Sequence, residues 1–292
     1  MVVVRIRVEG ADVSVRTGEK GGTDNLAVTG RLHSIESFGT VDGPGTRLVV
    51  FCQGCPMRCQ YCHNPDTWEF GRADGTGPGT DVTVAEVLER FERNRPFYRS
   101  GGITVTGGEP MAQPNFVAAL FEEAHEAPAG RIHTCLDTSA ATFSAAHAER
   151  FSRLLDATDM VLLDIKTSDA ALHESLCGMP ASHALELGDE LARRGIPTLV
   201  RHVIVPGLTD SEEECAAVGR IIGEWDNVVG LDFLPYHTLG KSKYEKLGIL
   251  YPLEGVKAME AARAKELREV ALRAFARRRS ERRGGRRPER RG

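Results

Sequence analysis

Cys55, Cys59 and Cys62 stand in the run Phe51-Cys-Gln-Gly-Cys-Pro-Met-Arg-Cys-Gln-Tyr-Cys-His-Asn64, with the spacing C-x3-C-x2-C. Three thiolates that close together can hold three irons of a [4Fe–4S] cube, a cluster that usually takes four cysteines. The fourth iron is then open to a substrate or cofactor. An odd ligand set therefore points to chemistry, and a complete one to electron storage or structure. Two other readings use the same residues. A structural zinc site wants four closed ligands, typically paired C-x2-C units. Cys52 or His63 could supply the fourth, but no second C-x2-C pair exists, and Cys135, Cys177 and Cys215 are scattered singly. His63, adjacent to Cys62, does not easily join the same tetrahedron. A closed-cluster electron carrier would take Cys52 as its fourth ligand.

Further polar residues recur downstream. Gly107-Gly-Glu-Pro110 offers a backbone that a ligand can approach closely, and Glu109 beside it can accept from an ammonium. Asp137-Thr138, Asp164-Ile-Lys166, Arg201 and Pro235-Tyr-His237 follow. Asp164 and Lys166 alternate with Ile165, so both face one side of a strand. They suit ribose hydroxyls or a cation and a carboxylate, or else an internal ion pair. A lone histidine such as His237 is more often satisfied internally than a ligand. Gly39-Thr-Val-Asp-Gly-Pro-Gly45 reads first as a turn, and Pro206-Gly-Leu-Thr-Asp210 as a rim segment before a helix capped at Asp210 or Ser211.

The elements that must position these residues alternate. Short β-branched runs at 46–51, 102–106, 132–137, 160–165, 198–205 and 228–234 read as strands. Helical patterns at 83–95, 113–126, 144–155, 183–194 and 212–224 separate them, and a last amphipathic run covers 255–275. Near-continuous apolar strands are what a parallel sheet covered on both faces requires. Six βα units fit a barrel open on one side or a doubly wound sheet. The polar residues fall at the carboxyl ends of these strands, with Arg201 within the fifth, and that end is the face where parallel α/β folds bind ligands.

The triad, with Tyr61 before its last cysteine, resembles the radical S-adenosylmethionine (SAM) superfamily. The flanking runs Arg31-Leu-His-Ser-Ile-Glu-Ser-Phe-Gly-Thr-Val-Asp-Gly-Pro-Gly-Thr46 and Cys62-His-Asn-Pro-Asp-Thr-Trp68 resemble its glycyl-radical-enzyme activases, over about residues 31–275. The resemblance implies an α/β partial (β/α)6 barrel rather than an open sheet, a [4Fe–4S] cluster on Cys55, Cys59 and Cys62, and SAM on the open iron. It implies SAM contacts from Tyr61, Asn64, Gly107, Gly108, Glu109, Asp137, Lys166 and His237. Asp137, Thr138 and Asp164 would hold a monovalent cation, and Asp42 and Arg201 would touch the substrate peptide. The implied partners are pyruvate formate-lyase, as protein substrate, and a flavodoxin-like or ferredoxin-like electron donor. Activation of a different glycyl radical enzyme is the alternative. Many such activases carry a cysteine-rich insert after the triad, and residues 63–107 contain no cysteine.

Composition bounds the rest. With 292 residues and 41% hydrophobic content the chain can bury a full core. No apolar run reaches the roughly 18 residues of a membrane span. The first eight residues are too short and too charged for a signal-peptide core. Seven cysteines, three of them clustered, fit a reducing compartment, so a cytoplasmic location is expected. The net charge of −4 hides an asymmetry, because residues 277–292 carry nine Arg and two Glu. We expect residues 1–30 to be a flexible leader, 31–276 the barrel, and 277–292 a disordered tail. Nucleic-acid binding by that tail is disfavoured because no aromatic residue interleaves with its arginines.

Overall fold

The structure is a computed structural model that describes residues 2–8, 11–17, 24–72 and 74–285. Strands β1 (Val2–Val8) and β2 (Ala11–Thr17) pair antiparallel as a separate two-stranded sheet. The other eight strands form one sheet. Its centre is the expected set of six parallel strands: β4 (Arg47–Cys52), β6 (Gly102–Gly107), β7 (His133–Thr138), β8 (Met160–Asp164), β9 (Thr198–Ile204) and β10 (Val228–Pro235). Two antiparallel strands, β3 (Thr29–Gly39) and β5 (Thr80–Thr83), extend it past β4. The order is β10-β9-β8-β7-β6-β4-β3-β5, so the two ends do not meet and the barrel is partial.

Helices cover the outer face: α1 (Val84–Arg93), α2 (Pro114–His125), α3 (Ser152–Asp156), α4 (Ala170–Cys177), α5 (Ser182–Arg194), α6 (Glu212–Ile222), α7 (Lys241–Leu247) and α8 (Ala261–Gly285). Local signals set their starts. Thr83 and Glu86 form a reciprocal capping box at α1. Ser211, not Asp210, caps α6, its hydroxyl accepting from the Glu214 amide at 3.0 Å. Helix α8 packs on α6 through Leu267 and Ala271 against Val218 and Ile222. The approach is close: a Cβ on Gly219 would lie 2.2 Å from the Ala271 carbonyl oxygen. Arg268 of α8 donates to the Leu231 carbonyl of β10 at 2.7 Å.

Two boundaries differ from expectation. Residues 25–30 belong to the barrel unit: Leu26 and Val28 pack on the core, and the Asn25 side chain donates to Glu122 and Glu123 at 3.0 and 3.1 Å. The arginine-rich segment is helical through residue 285, because acidic residues at the end of α6 receive it. Arg278 pairs with Glu224, and Arg282 with Glu224 and Asp226. The rest of the expected tail, 286–292, lies outside the described residues.

Candidate active site

The strand register carries the site. Asp164 is the parallel partner of Arg201, and Asp137 that of Leu162. Leu162 and Asp164 share a face because side chains alternate along a strand, so Asp137, Asp164 and Arg201 all point inward. They meet the loop after β4, which bears the three cysteines, and the turn after β6. That turn folds back on β4: Gly108 N–H donates to the Cys52 carbonyl at 2.9 Å and Glu109 N–H to the Gly54 carbonyl at 2.8 Å. Gly107 sits at φ +109°, and a Cβ there would lie 2.4 Å from the Cys52 nitrogen, so only glycine allows the approach.

Together these elements enclose a cavity of about 510 Å3 at the carboxyl ends of the strands. Cys55, Cys59 and Cys62 line it, as do Asp42, Tyr61, Asn64, Gly107, Gly108, Asp137, Thr138, Asp164, Lys166, Arg201 and His237. Cys52 does not line it; it is buried in the main core with Leu48, Val50 and Val105. A closed cluster using Cys52 is therefore not assembled. Among the described residues no three His, Cys, Asp or Glu side chains are gathered for a single ion. A cube asks something different, because each thiolate takes a separate iron.

The thiols suit that task. Burial pushes Cys55 up to about 12 and Cys62 up to about 11, so neither ionises at neutral pH until a metal displaces its proton. A hydrogen bond from the Cys177 thiol holds Cys59 below the usual value. The Asn64 backbone N–H points at the Cys62 sulfur, 3.4 Å away, a donor suited to a thiolate. Lys166 lies over the Tyr61 ring, 5.7 Å from its centroid. Two buried polar atoms of cavity-lining residues, the Tyr61 hydroxyl and His237 Nδ1, have no hydrogen-bond partner, as a polar ligand would require. His237 stacks on His63 with ring centroids 4.1 Å apart.

Opposite the thiols lies an ionic network. Asp137 accepts from Thr106 Oγ1 at 2.7 Å and from Arg201 at 2.5 Å. Asp164 accepts from Lys166 Nζ at 2.7 Å and lies 3.4 Å from Arg201 Nε. Burial raises both carboxyls, but the outcomes diverge. Asp164 has a lysine of its own, which with Arg201 keeps it below the usual value. Asp137 has only its share of Arg201, is repelled by Asp164, and is pushed up to about 6. Lys166 and Arg201, though buried, are held well above their ordinary values by these carboxylates. Asp42 is half-buried at the cavity wall, its carboxyl raised by burial.

Three expectations need correction. Glu109 is wholly buried and does not line the cavity. Its carboxylate already accepts from Thr138 Oγ1 (2.6 Å), Ser139 N–H (3.1 Å), Ser139 Oγ (2.5 Å) and Met111 N–H (2.9 Å), which leaves little capacity for an ammonium. The cation set of Asp137, Thr138 and Asp164 is not convergent, because Thr138 is turned to Glu109 and the Arg201 guanidinium stands between the carboxylates. Arg201 is thus bound within the wall rather than free for a peptide. Sequence reading also missed Thr106 and Ser139, which fix Asp137 and Glu109, and Lys243, which donates to Asn64 Oδ1 at 2.8 Å and to Asp66 at 3.1 Å. Thr106 was findable, since it precedes Gly107-Gly-Glu at a strand end. Lys243 gives no local signal.

A partial parallel barrel with a cysteine triad in the mouth defines a class, and residues 49–217 match the Radical SAM superfamily. A radical SAM methyltransferase from Sphaerobacter thermophilus shares the fold at TM-score 0.57 and 17% identity, over 94% of this chain and 74% of that one. The pyruvate formate-lyase-activating enzyme of Staphylococcus epidermidis is 43% identical over 81% of this chain and 93% of its own length. That of Staphylococcus aureus is 44% identical over 78% and 90%. The chain belongs to the pyruvate formate-lyase-activating enzyme family of the radical SAM superfamily, whose cofactors are a [4Fe–4S] cluster and SAM.

Proposed function

We propose that this chain activates pyruvate formate-lyase by removing an α-hydrogen from one of its glycines. One observation carries the reading: a cysteine triad, a double-glycine turn and charged residues from neighbouring strand ends all line a single cavity. Cys55, Cys59 and Cys62 would hold the cluster. Tyr61, Asn64, Gly107, Gly108, Asp137, Lys166 and His237 would surround SAM. When bound, the cluster supplies one electron that cleaves the S–C5′ bond of SAM, and the resulting 5′-deoxyadenosyl radical takes the glycine hydrogen.

The protein's own part is binding and orientation. Lys166, anchored by Asp164, presents a fixed positive charge beside Tyr61. The double-glycine backbone lets a ligand approach without a side chain between, and the Tyr61 hydroxyl and His237 Nδ1 are buried without partners on two residues that line the cavity. Asp42 borders the route for a peptide. A monovalent cation at Asp137, Thr138 and Asp164 would require Arg201 to move aside. The electron is expected from a flavodoxin-like or ferredoxin-like donor, and the work is expected in the cytoplasm, where thiols stay reduced. Among the described residues no helix is long and apolar enough to cross a membrane.

The test is anaerobic incubation of the reduced, cluster-loaded protein with SAM and pyruvate formate-lyase, followed by paramagnetic resonance. A glycyl radical is expected, and deuterium from an α-deuterated glycine should reach 5′-deoxyadenosine. Cys59→Ala should abolish SAM cleavage, and full activity in that variant would remove the triad from the mechanism.

A further inference from the structure

Cys177 has no part in the reaction as described, yet helix α4 ends on it. Three hydrogen bonds tie the last turn of α4 to the cysteine loop on both sides of Cys59. Arg58 N–H donates to the Cys177 carbonyl at 2.9 Å, Gln60 N–H to the Leu176 carbonyl at 2.9 Å, and the Gln60 side-chain amide to the Ser175 carbonyl at 2.8 Å. Residue 59 is thereby pinned against residue 177, and the two cysteines belong to one buried cluster with Met57 and Leu176. Their exposure to the cavity differs. Cys59 lines it, whereas Cys177 does not and is 0% exposed behind it. Cys55 and Cys62 are held by other ties, Cys55 N–H to the Trp68 carbonyl at 3.2 Å and Cys62 N–H to the Cys59 carbonyl at 3.0 Å.

We propose that Cys177 is a resolving thiol for Cys59: in the cluster-free protein a peroxide converts the pair to a Cys59–Cys177 disulfide, which protects a cluster ligand from irreversible oxidation. This rests on Cys59 being a cluster ligand. The Cys59 thiolate attacks a peroxide oxygen, the O–O bond breaks, and hydroxide leaves Cys59 as a sulfenic acid. That hydroxide takes the Cys177 proton to form water. The Cys177 thiolate attacks the Cys59 sulfur, the S–S bond forms and the S–O bond breaks, and the departing hydroxide becomes a second water with the proton first lost from Cys59. The thiol pair loses two electrons and hydrogen peroxide gains them. A dithiol reductant reverses the bond, whereas a sulfinic acid at Cys59 would not be reversed.

The experiment uses the full-length protein, with and without its cluster, several equivalents of hydrogen peroxide (a sulfinic acid consumes two per thiol), alkylation of free thiols and non-reducing peptide mapping. Cluster-free protein should yield mainly the peptide joining Cys59 to Cys177, and dithiothreitol should restore iron loading to its untreated level. Cys177→Ser and Cys177→Val should load iron normally before exposure. After peroxide and dithiothreitol they should regain several-fold less, with sulfinic acid at Cys59. The two variants differ in size and polarity, so a packing fault in one is not shared by the other. A link from Cys59 to Cys55 or Cys62, or variants that reload as well as the parent, would overturn the proposal. A bound cluster should suppress the cross-link. An unchanged yield in loaded protein would overturn Cys59 as a ligand instead.

Discussion

Two arginine networks in this molecule use the same chemistry with different consequences. Inside the barrel, Arg201 joins Asp137 and Asp164 with its guanidinium largely buried. At the end of α8, Arg278 and Arg282 reach Glu224 and Asp226 on an exposed surface. Exposed pairs are screened by water and salt and contribute little. Buried ones have lost their hydration, so removing one partner strands the others. The inner network therefore governs the site, and the outer one only extends a helix.

The comparison can be broken at several points. Arg201→Ala should have the largest effect: two buried carboxylates lose their shared cation, at a cost of about 3–5 kcal/mol by denaturant titration, with SAM cleavage lost as well. Full stability in that variant would mean that water compensates the site. Arg201→Lys should fall between, because a point charge cannot bridge both carboxylates as a planar fork does. Its SAM cleavage should exceed that of the alanine variant but not reach the parent.

Asp137 gives the pH test. Its carboxyl is raised to about 6, so the folded protein binds a proton that the unfolded chain releases near the ordinary value of 3.8. That stabilisation is fully present below the ordinary value and is lost as pH rises through about 6. Asp137→Asn should flatten the dependence, read as a smaller change in denaturation midpoint between pH 5 and pH 7.5 than in the parent. At the small end, deleting residues 280–292 should leave SAM cleavage within about twofold, because surface pairs contribute little. A tenfold loss would show that the outer network supports the barrel. Salt sharpens the contrast: 0.5 M salt, where the Debye length is about 4 Å, should erase the small stability difference between parent and truncated protein. The deficit of Arg201→Ala should survive it.

The sequence made the six parallel strands legible because Leu48–Val50 and Val161–Leu163 are continuous apolar runs, and Ile103 and Val105 flank only a buried threonine, as burial on both faces demands. Strand β3 was not legible. It has one exposed side, and His33, Ser34 and Glu36 interrupt its pattern. Helices α4 and α7 are eight and seven residues long, too short for a clear period. At the site, the cavity lining could be read from strand ends because the fold brings all of them to one mouth. Glu109 could not. Its sequence context of two glycines and a proline looks like a ligand turn, while the hydroxyls that occupy it belong to Thr138 and Ser139 at the end of the neighbouring strand. Cys177 shows the same limit, since its closeness to Cys59 exists only through α4.

The contact from Arg268 to the Leu231 carbonyl has a wider meaning. A barrel that does not close leaves two strands with one free side, and a free strand side is a template for pairing with another chain. Here one edge, β5, is only four residues long. The other, β10, has α8 packed against it, and the arginine takes one of its spare acceptors. The near half of the last helix thus covers this edge against pairing with another chain. Truncation before Arg268 should convert a monodisperse protein into aggregates, visible by light scattering, where truncation after residue 279 does not.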